Sequence, residues 1–285
     1  MTLHGYSLLL PSPAVLCAVI SLLLAGCAAV GPEYQAPEPA LPAHWQAAAD
    51  AGPPDAAVLA EWWRQFEDPL LNALVSEALA ANRDLATARA QLREARARRA
   101  LAGAQLGPAV EATASAARTT SSETLGTGAT RDLYSAGFDA AWEPDIFGRL
   151  RRGREAAAAE LDASLETLRD TQVSLAAEVV LNYADLRTAQ RRLAVAEASV
   201  AARRETHDLT RWRWQAGLVP ELDVAQARTE LESAQAALPV LRSAVSAARH
   251  RLAVLLGRNP GALRERLAAT AAVPLAGRAA AAGIP

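Results

Sequence analysis

The stretch from Arg152 to Trp214 constrains the fold of this chain more than any other feature, because it contains no proline and a single glycine. Its large apolar residues recur every seven positions, which is the spacing of a helix that packs along a seam. The first row is Leu161, Leu168 and Leu175, and the second is Leu165, Val179, Leu186, Leu193 and Val200, with Gln172 as a polar break. Roughly 60 helical residues at 1.5 Å each extend for about 90 Å. The pattern predicts one very long helix over residues 152–214, several times longer than an ordinary globular helix.

A second heptad pattern follows after a short break at Gly217-Leu218-Val219-Pro220. It covers residues 221–256 and ends at Gly257, and its interior Pro239 is expected to introduce a kink. The seam residues are Leu231, Leu238, Val245 and Leu252. Two heptad helices joined by a tight turn predict an antiparallel helical hairpin.

The segment before the long helix combines a helical pattern with two alternating stretches. Asp68-Pro69 is a favourable N-cap and first-turn pair, and an alanine-rich repeat of seven after it predicts a helix over 69–105. Residues 109–117 and 133–142 alternate between two kinds of position, which predicts two strands. The fold class is therefore mainly α with a small β part.

The second strand is the more informative one because its aromatic residues share a face. Tyr134, Phe138 and Trp142 all lie at even positions, with alanines between them. A period of two with aromatic residues on one face is typical of a transmembrane β-strand. A soluble hairpin gives a similar pattern, so both interpretations are open for these residues taken alone.

The N-terminus predicts the compartment. An apolar run ends at Leu24-Ala25-Gly26-Cys27, which matches the bacterial lipobox, where small residues let the signal peptidase approach and the cysteine thiol is acylated. We expect residues 1–26 to be a lipoprotein signal peptide and Cys27 to carry the lipid. An ordinary signal peptide with a chance cysteine is the alternative. The proline-rich residues 27–60 are expected to form an extended tether.

Composition and motifs argue against several functions. The chain has 29 basic and 31 acidic residues, and so balanced a charge disfavours a nucleic-acid partner. His207 and His250 have no cysteine or carboxylate at ligand spacing, so neither a metal site nor a cofactor is expected. The sequence contains no phosphate-binding glycine loop, nucleophile elbow or zinc-protease motif. We therefore do not expect an enzyme.

Four motifs, in a fixed order, carry a resemblance to a known family. They are Gly31-Pro32-Glu33-Tyr34; Trp63-Arg64-Gln65-Phe66 with Asp68-Pro69-Leu70-Leu71; Trp142-Glu143-Pro144-Asp145-Ile146-Phe147-Gly148-Arg149; and Gln215-Ala216-Gly217-Leu218-Val219 with Leu222-Asp223-Val224. Together with the lipobox they resemble the outer-membrane factors of tripartite efflux pumps, the TolC/OprM-like, NodT-type outer-membrane lipoproteins, over nearly the whole chain. Pro144 departs from the family, which more usually has an aliphatic residue there.

The resemblance implies a trimeric channel whose β-barrel lies in the outer membrane and whose long helical tunnel reaches across the periplasm. Such a channel is a passive conduit for the export of drugs and small molecules. An inner-membrane pump supplies the energy, and a periplasmic adaptor protein couples the pump to the channel. The expected location is the outer membrane, with lipid as a partner.

The same resemblance assigns roles to individual residues. Tyr134, Phe138 and Trp142 are expected to face lipid, with Trp142 near the periplasmic side of the membrane. Gly217-Leu218-Val219 is the expected contact with the adaptor, and Asp223 lies where relatives use a carboxylate to hold the tunnel entrance closed. A simple helix–helix turn is the alternative for the first, and an aspartate favoured by the helix dipole is the alternative for the second.

Full-length members of this family carry two copies of the strand-and-helix unit, whereas this sequence carries one. Three explanations are open: six half-length chains assemble, another polypeptide supplies the second half, or the chain is a non-functional truncated fragment. A function of another class is a periplasmic coiled-coil scaffold or adaptor lipoprotein without a pore. Residues 109–142 favour the channel, because an adaptor would carry a lipoyl-like domain there instead of two barrel-type strands.

Overall fold

The computed structural model describes residues 30–38, 60–124, 126 and 128–275. Within them the chain is mainly helical with one two-stranded antiparallel sheet, which confirms the predicted fold class. The predicted signal peptide, Cys27 and most of the predicted tether lie outside the described residues. The chain divides into unit 1, residues 1–37 and 91–165, and unit 2, residues 38–90 and 166–285.

The described elements follow one another as helices, a β-hairpin and two longer helices. In chain order they are a 3₁₀ helix Trp62–Phe66, α1 Pro69–Ala81, α2 Arg83–Ala104, β1 Ala109–Thr120, β2 Thr130–Ala141, α3 Arg149–Gln215 and α4 Glu221–Leu255. The two longer helices have 67 and 35 residues, and the second one continues through Pro239. None of the described helices is both long enough and apolar enough to cross a bilayer.

The helix predicted over 69–105 is two helices in the structure, because the backbone is extended at Asn82, with φ −61° and ψ 139°. The Asn82 side chain accepts a hydrogen bond from the backbone N–H of Leu85 at 2.9 Å and donates one to the carbonyl of Leu255 at 2.9 Å. Asn82 therefore ends α1, caps α2 and contacts the end of α4. The spacing of seven continues through this break, so the apolar pattern does not reveal it.

Both strands reach further toward their connecting turn than the sequence predicts, to Thr120 rather than 117 and from Thr130 rather than 133. The added rungs are polar, with Arg118 opposite Asp132 and with the hydroxyls of Thr120 and Thr130 3.0 Å apart. Cross-strand pairs of this kind stabilise a ladder as apolar pairs do. The alternation of apolar residues underestimates the length of the hairpin, because the pairs nearest the turn are polar and do not show in that pattern.

The long helix α3 begins at Arg149, three residues before the predicted start. The chain turns at Gly148, whose φ is 83°, and the Asp145 carboxylate accepts a hydrogen bond from the backbone N–H of Arg151 at 2.8 Å. Partial burial acts to raise the pKa of Asp145, but the donating N–H groups and the Arg151 guanidinium outweigh it, so the pKa lies below its ordinary value. Asp145 thus satisfies free donors of the first turn.

The core of unit 2 brings together the 3₁₀ helix, α1, the start of α2, the middle of α3, the end of α4 and the turn after α4. Its largest members are Trp63, Leu71, Leu74, Leu85, Val179, Tyr183, Leu186, Leu252, Leu256 and Leu267. The predicted heptad rows of α3 are buried here, at Leu175, Val179 and Leu186, because other elements cover the helix. Further along α3, Val200 of the second row is also buried, whereas Val195 and Leu209, which belong to neither row, are exposed.

Within unit 2, α3 and α4 run antiparallel, which confirms the helical hairpin. Arg251 donates to the Asn182 side-chain oxygen at 2.7 Å, Arg242 contacts the Glu197 carboxylate at 3.1 Å, and Arg203 pairs with Glu230. From one pair to the next, the residue number rises along α3 and falls along α4, as in two antiparallel helices. Because exposed ion pairs contribute at most about 1 kcal/mol each, they indicate the register rather than account for its stability.

A buried polar cluster lies in the same core. The Tyr183 hydroxyl donates to the Asp68 carboxylate at 2.5 Å, and the Arg187 guanidinium donates to the Tyr183 oxygen at 3.0 Å. Burial, together with the Asp68 carboxylate, raises the pKa of Tyr183. Arg187 also donates to the carbonyl of Ala269 at 2.7 Å, which holds the segment after α4 against α3.

Candidate functional site

One face of the β-hairpin is apolar and exposed. The register pairs Ala112 with Phe138 and Ala116 with Tyr134, so the even-numbered residues of both strands share this face. Phe138 is 84% exposed and Tyr134 is 76% exposed. Side chains of this size normally have apolar cover, and a continuous face of them marks a surface that contacts lipid or another protein.

The opposite face of the hairpin is mainly polar. Its rungs include Glu111 opposite Asp139, and Ser115 with its hydroxyl 2.8 Å from that of Ser135. Directly opposed carboxylates repel each other unless water solvates them. This face is therefore suited to an aqueous environment.

Polar groups bound the apolar face at both of its ends. Toward the turn, the Arg118 guanidinium donates to the two carboxylate oxygens of Asp132 at 2.6 and 2.8 Å. At the other end Trp142, one residue beyond β2, donates from its indole nitrogen to the carbonyl of Leu106 at 3.1 Å. Six residue steps of strand lie between Val110 and Ala116, about 20 Å, which is close to the apolar band of roughly 25 Å on membrane-spanning strands.

The segment that follows the predicted lipid site runs beside the start of α3. The backbone N–H of Val30 donates to the carbonyl of Phe147 at 3.1 Å, and that of Tyr34 donates to the Glu155 carboxylate at 2.7 Å. Arg152, together with this N–H of Tyr34, lowers the pKa of Glu155. Cys27 itself lies outside the described residues, but Val30, only three positions later, is held near the end of the hairpin.

The turn between α3 and α4 is a Schellman motif. Gly217 has φ 74°, its N–H donates to the carbonyl of Trp214 at 2.8 Å, and the N–H of Leu218 donates to the carbonyl of Arg213 at 2.9 Å. Leu218 is 69% exposed, and Val219 is only partly buried. Trp212 and Leu222 extend this exposed apolar surface.

Asp223 lies in the first turn of α4 and is partly buried. Its backbone N–H donates to the carbonyl of Pro220 at 3.1 Å. Its carboxylate forms no ion pair with any residue that the structure describes. The geometry therefore leaves this negative charge available to a group from outside the described part of the chain.

Sequence reasoning missed the ion pair between Arg118 and Asp132. Both residues continue the even-numbered face toward the turn, so extending the alternation by two positions would have found them. In the parts of the chain that the structure covers, no three histidine, cysteine or acidic side chains are grouped so that they could hold a metal ion.

Comparisons with known proteins agree on one family. The family model described as "Outer membrane efflux protein" matches residues 74–258. Nodulation protein T of Rhizobium leguminosarum bv. trifolii is 33% identical over 251 residues, which are 87% of this chain and 53% of that protein. The antibiotic efflux pump outer membrane protein ArpC of Pseudomonas putida is 35% identical over 248 residues, 84% of this chain and 51% of that protein.

Solved structures of channels share the fold. The outer-membrane channel OprN superposes with a TM-score of 0.74 at 38% identity, over 88% of this chain and 56% of that one. CusC, whose structures concern transmembrane channel formation, gives a TM-score of 0.64 at 26% identity, over 88% of this chain and 53% of that one. The chain thus spans about half the length of the relatives that it matches. It belongs to the outer membrane efflux protein family, and its location is the outer membrane.

Proposed function

We propose that this chain is an outer-membrane channel subunit of an efflux system and serves as a passive conduit for small molecules. The observation that carries the proposal is the β-hairpin with one exposed apolar face, bounded by Arg118–Asp132 at one end and Trp142 at the other. Relatives are named for antibiotic, toluene, solvent and pyoverdine export. Since the chain spans half their length, the conduit is proposed for an assembly and not for a single copy.

In this proposal the hairpin spans the membrane. Tyr134, Phe138 and Trp142 face lipid, and the odd-numbered face borders water. Unpaired strand edges are not tolerated in hydrocarbon, so neighbouring strands come from further copies or from a second polypeptide, as in the trimers of full-length relatives. Cys27 is the proposed lipid site, and the backbone N–H of Val30, three positions later, donates to the carbonyl of Phe147 in the segment that follows the hairpin.

The turn between α3 and α4 is the proposed contact with a periplasmic adaptor, which couples the channel to an inner-membrane pump. Gly217 permits the tight turn, and Leu218 and Val219 present apolar surface there. Asp223 is the proposed gate residue, whose carboxylate would bind a donor on another subunit. Repositioning of these helices would open the entrance, and transport through the open conduit needs no catalytic step.

Two arginine substitutions on adjacent residues test the membrane assignment. Ala136→Arg puts a charge on the apolar face at mid-strand, where it costs about 2–4 kcal/mol if that face meets hydrocarbon. Ser135→Arg puts the same charge on the polar face at the same depth and is expected to be tolerated. The measurements are the heat-modifiable oligomer on gels and conductance in planar bilayers.

We expect Ala136→Arg to lose both properties and Ser135→Arg to keep them. Equal behaviour of the two variants would contradict the lipid-facing assignment. A parent chain that forms no oligomer and conducts no current would instead be a periplasmic scaffold lipoprotein without a pore.

A further inference from the structure

An arginine-lined groove runs between α2 and α3 in unit 1. Its lining residues are Arg96, Arg99, Ala100 and Gly103 from α2, and Arg154 and Leu161 from α3, and its volume is about 460 Å³. The α2 positions are three, four and seven residues apart, and the α3 positions are seven apart, so each helix contributes one stripe. We name this feature the arginine groove.

The guanidinium groups of the arginine groove have no ion-pair partner among the residues that the structure describes. Four other arginines of this region each contact a carboxylate: Arg98 with Glu94, Arg149 with Glu143, Arg151 with Asp145, and Arg152 with Glu155. An adjoining recess shares Arg99 and Arg154 with the groove and contains one carboxylate, that of Glu155. This carboxylate already accepts hydrogen bonds from Arg152 and from the backbone N–H of Tyr34. The groove therefore presents uncompensated positive charge.

The arginine groove lies close to the end of the hairpin that carries Trp142. The carbonyl of Leu106 accepts the hydrogen bond from the Trp142 indole. Arg99 lies seven positions before Leu106, which is roughly 10 Å of helical rise. Tryptophan favours the membrane–water interface, and the headgroup layer beyond the hydrocarbon is about 5–8 Å thick on each side. With Trp142 at the interface, the backbone of Arg99 lies just outside the headgroup layer, and its long side chain can reach back into that layer. Arg154 lines the same groove.

We propose that the arginine groove binds the phosphodiester headgroup of an anionic phospholipid from the leaflet that faces the helices. Arginine donates in a planar fork that matches phosphate oxygens and is weakly hydrated for a cation. Leu161 and Ala100 add apolar surface beside the charged groups. This inference rests on the proposed function, because it requires the hairpin to lie in the membrane.

The test compares lipid binding by the detergent-purified full chain with binding by two triple variants. Arg96→Gln/Arg99→Gln/Arg154→Gln removes the charges of the groove. Arg191→Gln/Arg192→Gln/Arg204→Gln, the control, removes three exposed charges elsewhere on α3 that have no ion pair among the described residues. Native mass spectrometry measures retention of phosphatidylglycerol and phosphatidylcholine, with inorganic phosphate as competitor.

We expect the parent and the control to prefer phosphatidylglycerol by on the order of a hundredfold, because each of the three arginines contributes roughly fivefold. The groove variant is expected to lose this preference. A preference retained by the groove variant, or absent from the parent, would overturn the proposal. Displacement of phosphatidylglycerol by an equal concentration of inorganic phosphate would also overturn it, because the groove would then bind a free anion.

Circular dichroism establishes whether the groove variant remains folded. If it does not, lipid retention is compared between the parent and the single variants Arg99→Gln and Arg154→Gln instead. Arg99→Lys keeps the charge and is expected to retain most of the preference. Binding in micelles does not depend on insertion of the hairpin. A failed lipid assay is therefore distinguishable from a failed membrane assignment, which the comparison of Ala136→Arg with Ser135→Arg tests separately.

Discussion

At the scale of single residues, two glycines end helices in the same way but in different surroundings. Gly217 and Gly257 have φ of 74° and 64°, and the residue after each donates to a carbonyl five positions earlier. A Cβ added at Gly217 would have open space around it, whereas one at Gly257 would lie 2.6 Å from the backbone oxygen of Ala81. The backbone conformation is shared, so the surroundings decide how costly a side chain is.

We predict that Gly257→Ala is clearly more destabilising than Gly217→Ala. The positive φ alone costs about 1–2 kcal/mol for a residue with a Cβ, and this is the expected effect at Gly217. At Gly257 the end of α1 must also move, which adds about 1–3 kcal/mol. Chemical denaturation of the detergent-solubilised chain, followed by circular dichroism, measures both free energies of unfolding. Equal losses would show that the close approach to Ala81 is relaxed at little cost.

At the scale of elements, Glu77 on α1 joins the segment that follows α4. Its carboxylate accepts hydrogen bonds from Arg258 at 2.8 Å and from Arg266 at 2.7 Å. The bond from Arg266 lowers the pKa of Glu77 below its ordinary 4.5, burial opposes this shift, and Arg258 adds to it. The two bonds hold the turn that places Leu263 and Leu267 on the core of unit 2.

We predict that this contribution to stability depends on pH. Because the pKa of Glu77 is lower in the folded chain, the stabilisation is fully present above pH 4.5 and is lost as the pH falls through the folded value. Glu77→Gln is expected to lower the free energy of unfolding by about 1–2 kcal/mol at pH 7. The difference from the parent is expected to shrink at acidic pH.

Thermal unfolding of parent and variant between pH 7 and pH 3 measures this difference. Glu160→Gln, a change at an exposed acid of α3 without an ion pair in the described residues, is the control and is expected to follow the parent throughout. A difference between parent and Glu77→Gln that stayed constant with pH would assign the effect to packing instead of charge.

At the scale of the whole molecule, the two units contain different kinds of structure. Unit 2 has a core with fully buried residues such as Leu71, Leu186 and Leu252. In unit 1 every residue of β1 and β2 is exposed. A two-stranded hairpin without cover is at best marginally stable in water, so we expect the hairpin to depend on its environment for stability.

Hydrogen exchange of the full chain measures this dependence. We predict that amides of residues 109–141 exchange rapidly in detergent-free buffer and slow by about tenfold or more in lipid bilayers. Amides of residues 175–186, in the core of unit 2, are expected to be protected in both conditions. Strong protection of the hairpin in buffer alone would mean that protein, and not lipid, covers its apolar face.

The sequence by itself determined the features that depend on near neighbours along the chain. The heptad spacing predicted the extent of the two longer helices, the alternation predicted the faces of the hairpin, and Gly217 marked the turn. The contact of Leu218 with an adaptor and the gating role of Asp223 stay predictions, because their partners are other molecules.

Only the tertiary structure decided which parts of these patterns are buried and which distant groups meet. It divided the helix predicted over 69–105 at Asn82, whose amide binds Leu255, and it brought Glu77 to Arg258. It also left the arginines of the groove without a carboxylate partner among the described residues, whereas Arg98 and Arg152 nearby are paired. The physical reason is that a periodic pattern fixes the face on which a side chain lies, whereas its partner depends on how segments far apart in the chain pack together.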